Sequence, residues 1–273
     1  MRSQEERGRA FRALHERPGA FIIPNPWDPG TARLLARLGF EALATTSAGY
    51  AFSRGQQDNT VGRDRMMEHA ADLVAATDLP VSADLENGFG EDPGTVAETI
   101  RRAAAAGLVG GSIEDATGRP GDPVHDRGFA ADRVRAAAEA ARSLPFPFTL
   151  TARAENFIVG RADLADTIER LQAFQEAGAD VLYAPGVARR EEIATLVRSV
   201  DRPVNVLMGL QGVRLTLGEI ADLGVKRVSV GSALCRAALG AFLRAAREMQ
   251  ERGSFTFGDE AIGFRDLAAL FEV

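Results

Sequence analysis

The chain has 273 residues, 45% of them hydrophobic, and a formal charge of −6. That is enough for a full α/β core, while the acidic balance without a basic tract argues against a nucleic-acid partner. One cysteine excludes a disulfide framework or thiolate metal cluster, and no apolar run approaches the ~18 residues of a membrane span. The opening M-R-S-Q-E-E-R-G-R lacks the apolar core of a secretory leader, so a cytoplasmic location and no membrane association are expected.

Residues Ser3 to Glu16 read as an amphipathic helix outside the main repeat. A strand over Ala20 to Pro24 follows, with a polar end at N25-P-W-D28 that opens onto a helix over Pro29 to Leu38. The next strand, E41-A-L-A-T-T46, ends in S47-A-G-Y50. A long glycine-containing stretch, Ala51 to Thr60, leads to a helix over Arg63 to Thr77. Pro80 opens an acidic strand, V81-S-A-D-L-E-N-G-F-G90, in which the two-residue strand period points Asp84 and Glu86 the same way.

The alternation continues with a helix over Thr95 to Ala106 and the strand G111-S-I-E-D115. The loop from Ala116 to Gly128 then carries prolines and glycines and almost no apolar residues; it reads as a gating lid. A helix over Ala131 to Ser143 precedes the strand T149-L-T-A-R153. Further units are the helix Leu164 to Ala177 with the strand D180-V-L-Y-A184, and the helix Glu191 to Ser199 with the strand Pro203 to Leu207. The helix Thr216 to Leu223 leads to the last strand, K226-R-V-S-V230, and the last barrel helix, Ser232 to Glu248.

Eight strand–helix units with no hairpin signal predict a closed, parallel (β/α)8 TIM-type barrel, and the absence of G-x-G-x-x-G after the first strand counts against a dinucleotide fold. The expected domains are residues 1–250, the barrel with its N-terminal helix, and 251–273, a glycine-bounded linker and an extra C-terminal helix. That helix places Phe264, Leu267, Leu270 and Phe271 on one face, and it is expected to be swapped between subunits.

Chemistry in such barrels gathers at the C-terminal ends of the strands. Here those ends carry Trp27 and Asp28, Ser47, Asp84 and Glu86, Glu114 and Asp115, Arg153 and Glu155, Tyr183 and Asn205, with Asp58 just beyond one of them. Carboxylates from two strands and an arginine from a third make a hard-cation site with an anion slot beside it. His15 and His69, on helices away from the mouth, read as surface residues, and Cys235 as a packed small residue.

These motifs resemble the isocitrate lyase / phosphoenolpyruvate phosphonomutase superfamily over nearly the whole chain. The family's D-x-D-x-G-[FY]-G appears as D84-L-E-N-G-F-G90, its I-E-D as I113-E-D115, and its strand-5 arginine as Arg153. Its serine loop appears as T45-T-S-A-G-Y50, and its loop aspartate as Asp58. The resemblance implies a Mg²⁺-dependent enzyme (Mn²⁺ being the alternative ion) acting on 2-oxo or 2-hydroxy carboxylates. It also implies a homotetramer of helix-swapped dimers. Asp84 would be the direct metal ligand, with Glu86 and Glu114 acting mainly through water; Glu86 stands where the family has aspartate.

A 2-oxo acid would chelate the ion, which stabilises the enolate formed when a bond to C3 breaks. Backbone N–H groups of Ser47, Ala48 and Gly49 would hold the carboxylate, and Arg153 the developing charge. Trp27, Tyr183 and Asn205 are further expected substrate contacts, and Asp58, Glu114 and Arg153 the expected catalytic residues. The K-K-C-G-H loop of the family's isocitrate and methylisocitrate lyases is absent. The leading expectation is therefore a lyase or decarboxylase for a small 2-oxo (di)carboxylate such as oxaloacetate. The alternatives are phosphonopyruvate hydrolase or phosphonomutase P–C chemistry, methylisocitrate-lyase-like cleavage, and a 2-oxo acid binding protein of weak activity.

Overall fold

A computed structural model describes residues 2–272. Eight parallel strands form one sheet: β1 (Phe21–Ile23), β2 (Leu43–Ala44), β3 (Val81–Asp84), β4 (Gly110–Glu114), β7 (Thr149–Arg153), β8 (Val181–Tyr183), β9 (Val204–Leu207) and β10 (Arg227–Ser229). Their order is β1-β10-β9-β8-β7-β4-β3-β2, a nearly closed (β/α)8 barrel. The seam between β1 and β2 has no ladder. It is held by the Ala44 N–H donating to the Pro24 carbonyl at 3.0 Å, and by Asn25. The Asn25 side chain donates to the Thr45 carbonyl and accepts from the Val230 and Gly231 N–H groups, each at 2.9 Å. One amide thus joins three strand ends where the ladder fails.

Helices start where the sequence supplies caps. Ser3 with Glu6 opens α1 (Gln4–Glu16), and Asp28 with Thr31 opens α2 (Pro29–Arg37), each as a reciprocal capping box. Asp92 caps α5 (Pro93–Ala105), and Gly178 ends α7 (Leu164–Ala177) with φ 107°, a conformation that only glycine adopts cheaply. The shell is alanine-rich: Ala103 on α5 and Ala137 and Ala141 on α6 (Arg127–Arg142) share one core with Ile100 and Val134. Beneath the barrel, α1 presses Phe11 and Leu14 against Phe21, Ile23 and Val109. Gly8 permits this, since a Cβ there would stand 2.4 Å from the Pro147 carbonyl oxygen.

The structure corrects several expectations. The 116–128 stretch is an antiparallel hairpin, β5 (Ala116–Arg119) and β6 (Asp122–Val124), closed by a hydrogen bond from the Thr117 hydroxyl to the Asp122 carbonyl. Ser47 to Ser53 is a helix, α3, capped by Thr46, followed by α4 (Arg63–Ala75). α6 starts four residues earlier than predicted because Asp126 accepts from the Gly128 and Phe129 N–H groups. His15 and His69 are 7% and 3% exposed and not surface residues. His15 stands edge-on to Phe11 and Phe21, and His69 stacks on Tyr50 at 3.8 Å. The remaining helices are α8 (Arg190–Arg198), α9 (Leu217–Asp222) and α10 (Ala233–Arg252), then a 3₁₀ turn and the short α11 (Phe264–Ala269). Among the described residues no helix is long and apolar enough to cross a membrane.

Candidate active site

A cavity of about 210 Å³ opens at the C-terminal ends of the strands. Ser47, Ala48, Asp58, Asp84, Glu114, Arg153, Tyr183 and Asn205 line it, as does Glu155, which the sequence reading placed at a strand end without a role in the site. Glu155 follows Arg153 at the two-residue strand spacing, which was the available signal. Trp27, Gly49 and Glu86 do not line this cavity. Trp27 and Gly49 are packed behind it: a Cβ on Gly49 would lie 3.2 Å from the Trp27 Cβ and 2.5 Å from the Thr46 methyl.

Arg153 gathers the strand ends. Its Nη1 lies 3.1 Å from Glu114 Oε2 and 3.4 Å from Asp84 Oδ1, its Nε donates to Glu155, and its guanidinium sits 5.5 Å from the Tyr183 ring centre. Burial alone would lower the Arg153 pKa, but the Glu114, Glu155 and Asp84 carboxylates reverse this and hold it well above its usual value. The carboxylates pay for their crowding: burial raises Glu114 and Glu155, Arg153 opposes it, and neighbouring carboxylates reinforce it. Burial, then Asp84, also raises Asp58 at the rim.

Asp84 is set by its neighbours. Its Oδ2 accepts from the Ser47 hydroxyl at 2.9 Å and the Ser47 N–H at 3.4 Å, and its own N–H donates to Thr45 Oγ1. The Gly49 N–H is taken by Thr46 Oγ1 at 3.2 Å. Of the three amides expected to hold a carboxylate, Ala48 is therefore the one not already engaged.

After Asp84 the chain turns sharply, with Glu86 at φ 50°, Gly88 at 78° and Phe89 at 60°. Two non-glycine residues in the left-handed region store strain. What holds them is Arg133 of α6, 1% exposed, whose side chain donates to four carbonyls: Asn87, Gly90 (2.9 Å), Glu91 (3.0 Å) and Glu114 (3.2 Å). It ties the acidic turn to the end of β4. Sequence reasoning missed it because an arginine in a helical A-D-R-V-R run reads as solvated.

A second buried clamp anchors the hairpin. Arg170 of α7 bonds Asp115 Oδ2 at 3.1 Å and the His125 carbonyl at 2.8 Å, while Asp115 Oδ1 accepts from the Glu155 N–H at 2.8 Å. No residue of 116–128 lines the cavity. His125 is buried edge-on to Phe129 beside the hairpin, and Arg119 pairs with Glu91 and Asp122.

The residues fit a hydrated divalent ion. Among the described residues no three His, Cys, Asp or Glu side chains are placed to hold a metal ion on their own, so an ion here would draw most of its ligands from water. Glu86 Oε1 is buried without a partner, and burial, then Asp84 and Asp58, push its pKa to about 8. A divalent cation beside Asp84 would satisfy both. Cys235, by contrast, is buried in α10 with its Sγ 3.7 Å from the Gly49 carbonyl, so no thiol faces the cavity.

A barrel with carboxylates and an arginine converging at the C-terminal ends of its strands has the arrangement of an enzyme's active site. The family described as Phosphoenolpyruvate phosphomutase matches residues 11–250, and the chain belongs to it, within the isocitrate lyase / phosphoenolpyruvate mutase superfamily. It is 30% identical to the 2-methylisocitrate lyase of Bacillus subtilis (strain 168), covering 92% of this chain and 84% of that one. A crystal structure from Burkholderia cenocepacia J2315, described only provisionally as a lyase/mutase, is 67% identical. It superposes with TM-score 0.97 over 99% of this chain and 97% of that one. Oxaloacetate acetylhydrolase in complex with its product oxalate is 25% identical, with TM-score 0.86 over 99% and 95%. Relatives and structural neighbours thus include lyases and mutases.

Proposed function

We propose that the chain is a Mg²⁺-dependent lyase that decarboxylates a small 2-oxo dicarboxylate, oxaloacetate or a close analogue, through an enolpyruvate-type intermediate. The observation that carries this reading is the charge imbalance at the strand ends. Asp58, Asp84, Glu114 and Glu155 line one cavity, and among the described residues Arg153 is the one cation bonded among them. Such a cluster asks for a divalent ion.

Asp84 would hold the metal, with Glu86 and Glu114 near enough in the chain's turn and strand end to hold its waters. When bound, Mg²⁺ supplies a Lewis acid at the keto oxygen. The Ala48 N–H orients the C1 carboxylate, beside Ser47, whose own donors are held by Asp84. Arg153 sits where negative charge grows on the C2 oxygen as the C3–C4 bond breaks and CO₂ leaves with the electron pair left on C3. Asp58, at the rim, then delivers a proton to C3, giving the 2-oxo monoacid.

The likeness to oxaloacetate acetylhydrolase favours a second reading, in which water activated at Asp58 attacks C2 and the C2–C3 bond breaks to oxalate and acetate. The buried Cys235 speaks against methylisocitrate cleavage by a thiol. The test is oxaloacetate, phosphonopyruvate and methylisocitrate, each with Mg²⁺ and with EDTA, with pyruvate, oxalate and succinate quantified. Mg²⁺-dependent pyruvate from oxaloacetate, above the rate of Mg²⁺ without protein, supports the first reading and oxalate the second, while pyruvate from phosphonopyruvate alone, or with succinate from methylisocitrate, overturns both. Calorimetric binding of 2-oxo acids without any product would make the chain a binding protein.

The same reading includes a helix-exchanged homotetramer. Leu239, Phe242 and Leu243 on α10 are 38%, 67% and 48% exposed, and Phe264 on α11 is 90% exposed, so an apolar surface awaits a partner copy. Sedimentation equilibrium at four chain masses supports it; a monomer at micromolar concentration refutes it.

A further inference from the structure

The deepest wall of the cavity is cationic. Arg227, on β10 and only 5% exposed, lines the cavity from below. Its Nε donates to Asn205 Oδ1 at 2.9 Å and its Nη2 to Thr151 Oγ1 at 2.9 Å, while Nη1 lies 3.4 Å from His15 Nε2. All three partners are neutral. His15 Nδ1 lies 2.8 Å from the Phe11 carbonyl, which can only accept, so Nδ1 carries the proton and Nε2 is the acceptor facing Arg227. Burial, then the Arg227 charge itself, keeps that ring neutral, with a pKa down to about 3.

Among the described residues no carboxylate balances Arg227. Burial takes its pKa down to about 10, and the one ionisable group set against that, the Tyr183 phenol, is itself pushed up to about 12 by burial and is neutral. An isolated buried charge is costly unless something compensates it. The surroundings are unusual too: barrel interiors are dominated by branched aliphatic side chains, whereas Ser82, Ser112, Asn205 and Ser229 wall this cavity down to Arg227. Three of the five N–H groups of a guanidinium are engaged here, which leaves two for a ligand.

Depth fits as well. Thr151, bonded to Arg227, precedes Arg153 by two residues on β7, so the two guanidinium groups stand about one strand repeat, roughly 7 Å, apart along the barrel. A four- or five-carbon diacid covers that span once a hydrogen bond is added at each end.

We propose that Arg227 is a specificity residue that receives the distal carboxylate of a dicarboxylic 2-oxo acid, selecting diacids from the barrel floor and not from the hairpin. Asn205 and His15 are positioning residues that aim the guanidinium upward. The inference rests on the reading of the mouth as the site of the 2-oxo carboxylate end and concerns binding and selection: in oxaloacetate the carboxylate held here is the one released as CO₂, so the Arg227 pair parts as the C3–C4 bond breaks.

The test uses matched acids in which a methyl replaces the distal carboxylate: oxaloacetate against 2-oxobutyrate, and 2-oxoglutarate against 2-oxovalerate. Binding to the full chain with Mg²⁺ is read by calorimetry at low temperature. In at least one pair the diacid should bind about 10- to 100-fold tighter, as expected for a charge-assisted pair. Arg227→Met should collapse that preference to within about threefold and leave the monoacid unchanged, a pattern that general loss of structure would not give. Arg227→Lys, which keeps the charge without the fork, should fall between and serves if the methionine variant does not fold. A preference that survives Arg227→Met, or wild-type protein that binds both acids of each pair equally, overturns the assignment. Wild-type protein that binds no acid at all overturns the reading of the mouth, and this inference with it.

Discussion

The mouth and the floor of the barrel are built around one arginine each, and the two are electrostatic opposites. Arg153 at the mouth is bonded among three carboxylates, which hold its pKa well above the usual value against the effect of burial. Arg227 at the floor has only neutral partners, and burial takes it down to about 10. The mouth is therefore short of positive charge and the floor short of negative charge. A metal ion answers the first deficit and a substrate carboxylate the second. Residue type says nothing of this difference; the neighbours brought in by other strands decide it.

The comparison breaks first at Arg153. Arg153→Met should lower kcat/KM about a thousandfold, since it removes the donor aimed at the developing charge. It should also destabilise the fold by about 3–5 kcal/mol by leaving carboxylates buried without their cation. Arg153→Lys should rescue little, because an ammonium cannot reproduce the fork that serves Glu114, Asp84 and Glu155 together. Activity within tenfold of wild type would remove Arg153 from the mechanism.

Asp84→Asn comes next, and its two effects should separate. Mg²⁺ binding by calorimetry should be lost and turnover should fall by about a hundredfold or more. In EDTA the variant should melt no lower than wild type, because the amide still accepts from Ser47 and repulsion with Glu86 and Glu114 is relieved. Unchanged Mg²⁺ affinity would mean that the ion, if any, sits elsewhere.

Arg133→Met sharpens the comparison from outside. It strips donors from four carbonyls and should cost about 3 kcal/mol, with a raised requirement for Mg²⁺ and a smaller loss of saturated rate. If the Mg²⁺ requirement does not move while stability falls, the clamp serves folding alone and the turn after Asp84 holds itself.

Much of the fold was legible because the barrel repeats one rule. Apolar strand and helix alternate eight times, with a glycine closing α2, α5, α7 and α9 at Gly39, Gly107, Gly178 and Gly224. Asp84 and Glu114 at the ends of β3 and β4 line the mouth cavity, while Glu86, past the end of β3 in a left-handed turn, does not. What escaped had no periodic signal. The 116–124 hairpin is held by a threonine–carbonyl bond and an Arg170–Asp115 pair 55 residues apart in sequence. Arg133 and Arg227 are buried cations in segments whose arginines are otherwise solvated, and only tertiary contacts reveal them. His15 and His69 misled for the related reason that a helix face closed by aromatic neighbours looks polar when read alone. Trp27 shows the reverse: a strand-end position that packing turned away from the cavity.

Those histidines give the gentlest test, and it divides the molecule along the same line. Both are buried neutral, His15 with a pKa near 3 through burial and then Arg227, and His69 near 4 through burial, with Asp72 and Asp28 opposing. Their folded values lie below the unfolded 6.5, so the unfolded chain binds protons first as pH falls. Stability should therefore drop between about pH 6.5 and 4, by at most ~1.4 kcal/mol per pH unit for each ring. His15→Gln should flatten that slope, read from urea midpoints at fixed ionic strength. The mouth has the opposite sign. Glu86, raised to about 8 from 4.5, favours the folded state at low pH, and that contribution fades as pH rises from 4.5 to 8 in EDTA. Saturating Mg²⁺ should erase this alkaline loss and leave the acid slope untouched. A metal-independent alkaline slope would detach Glu86 from the ion, and no acid slope at all would mean that the two histidines are not held neutral.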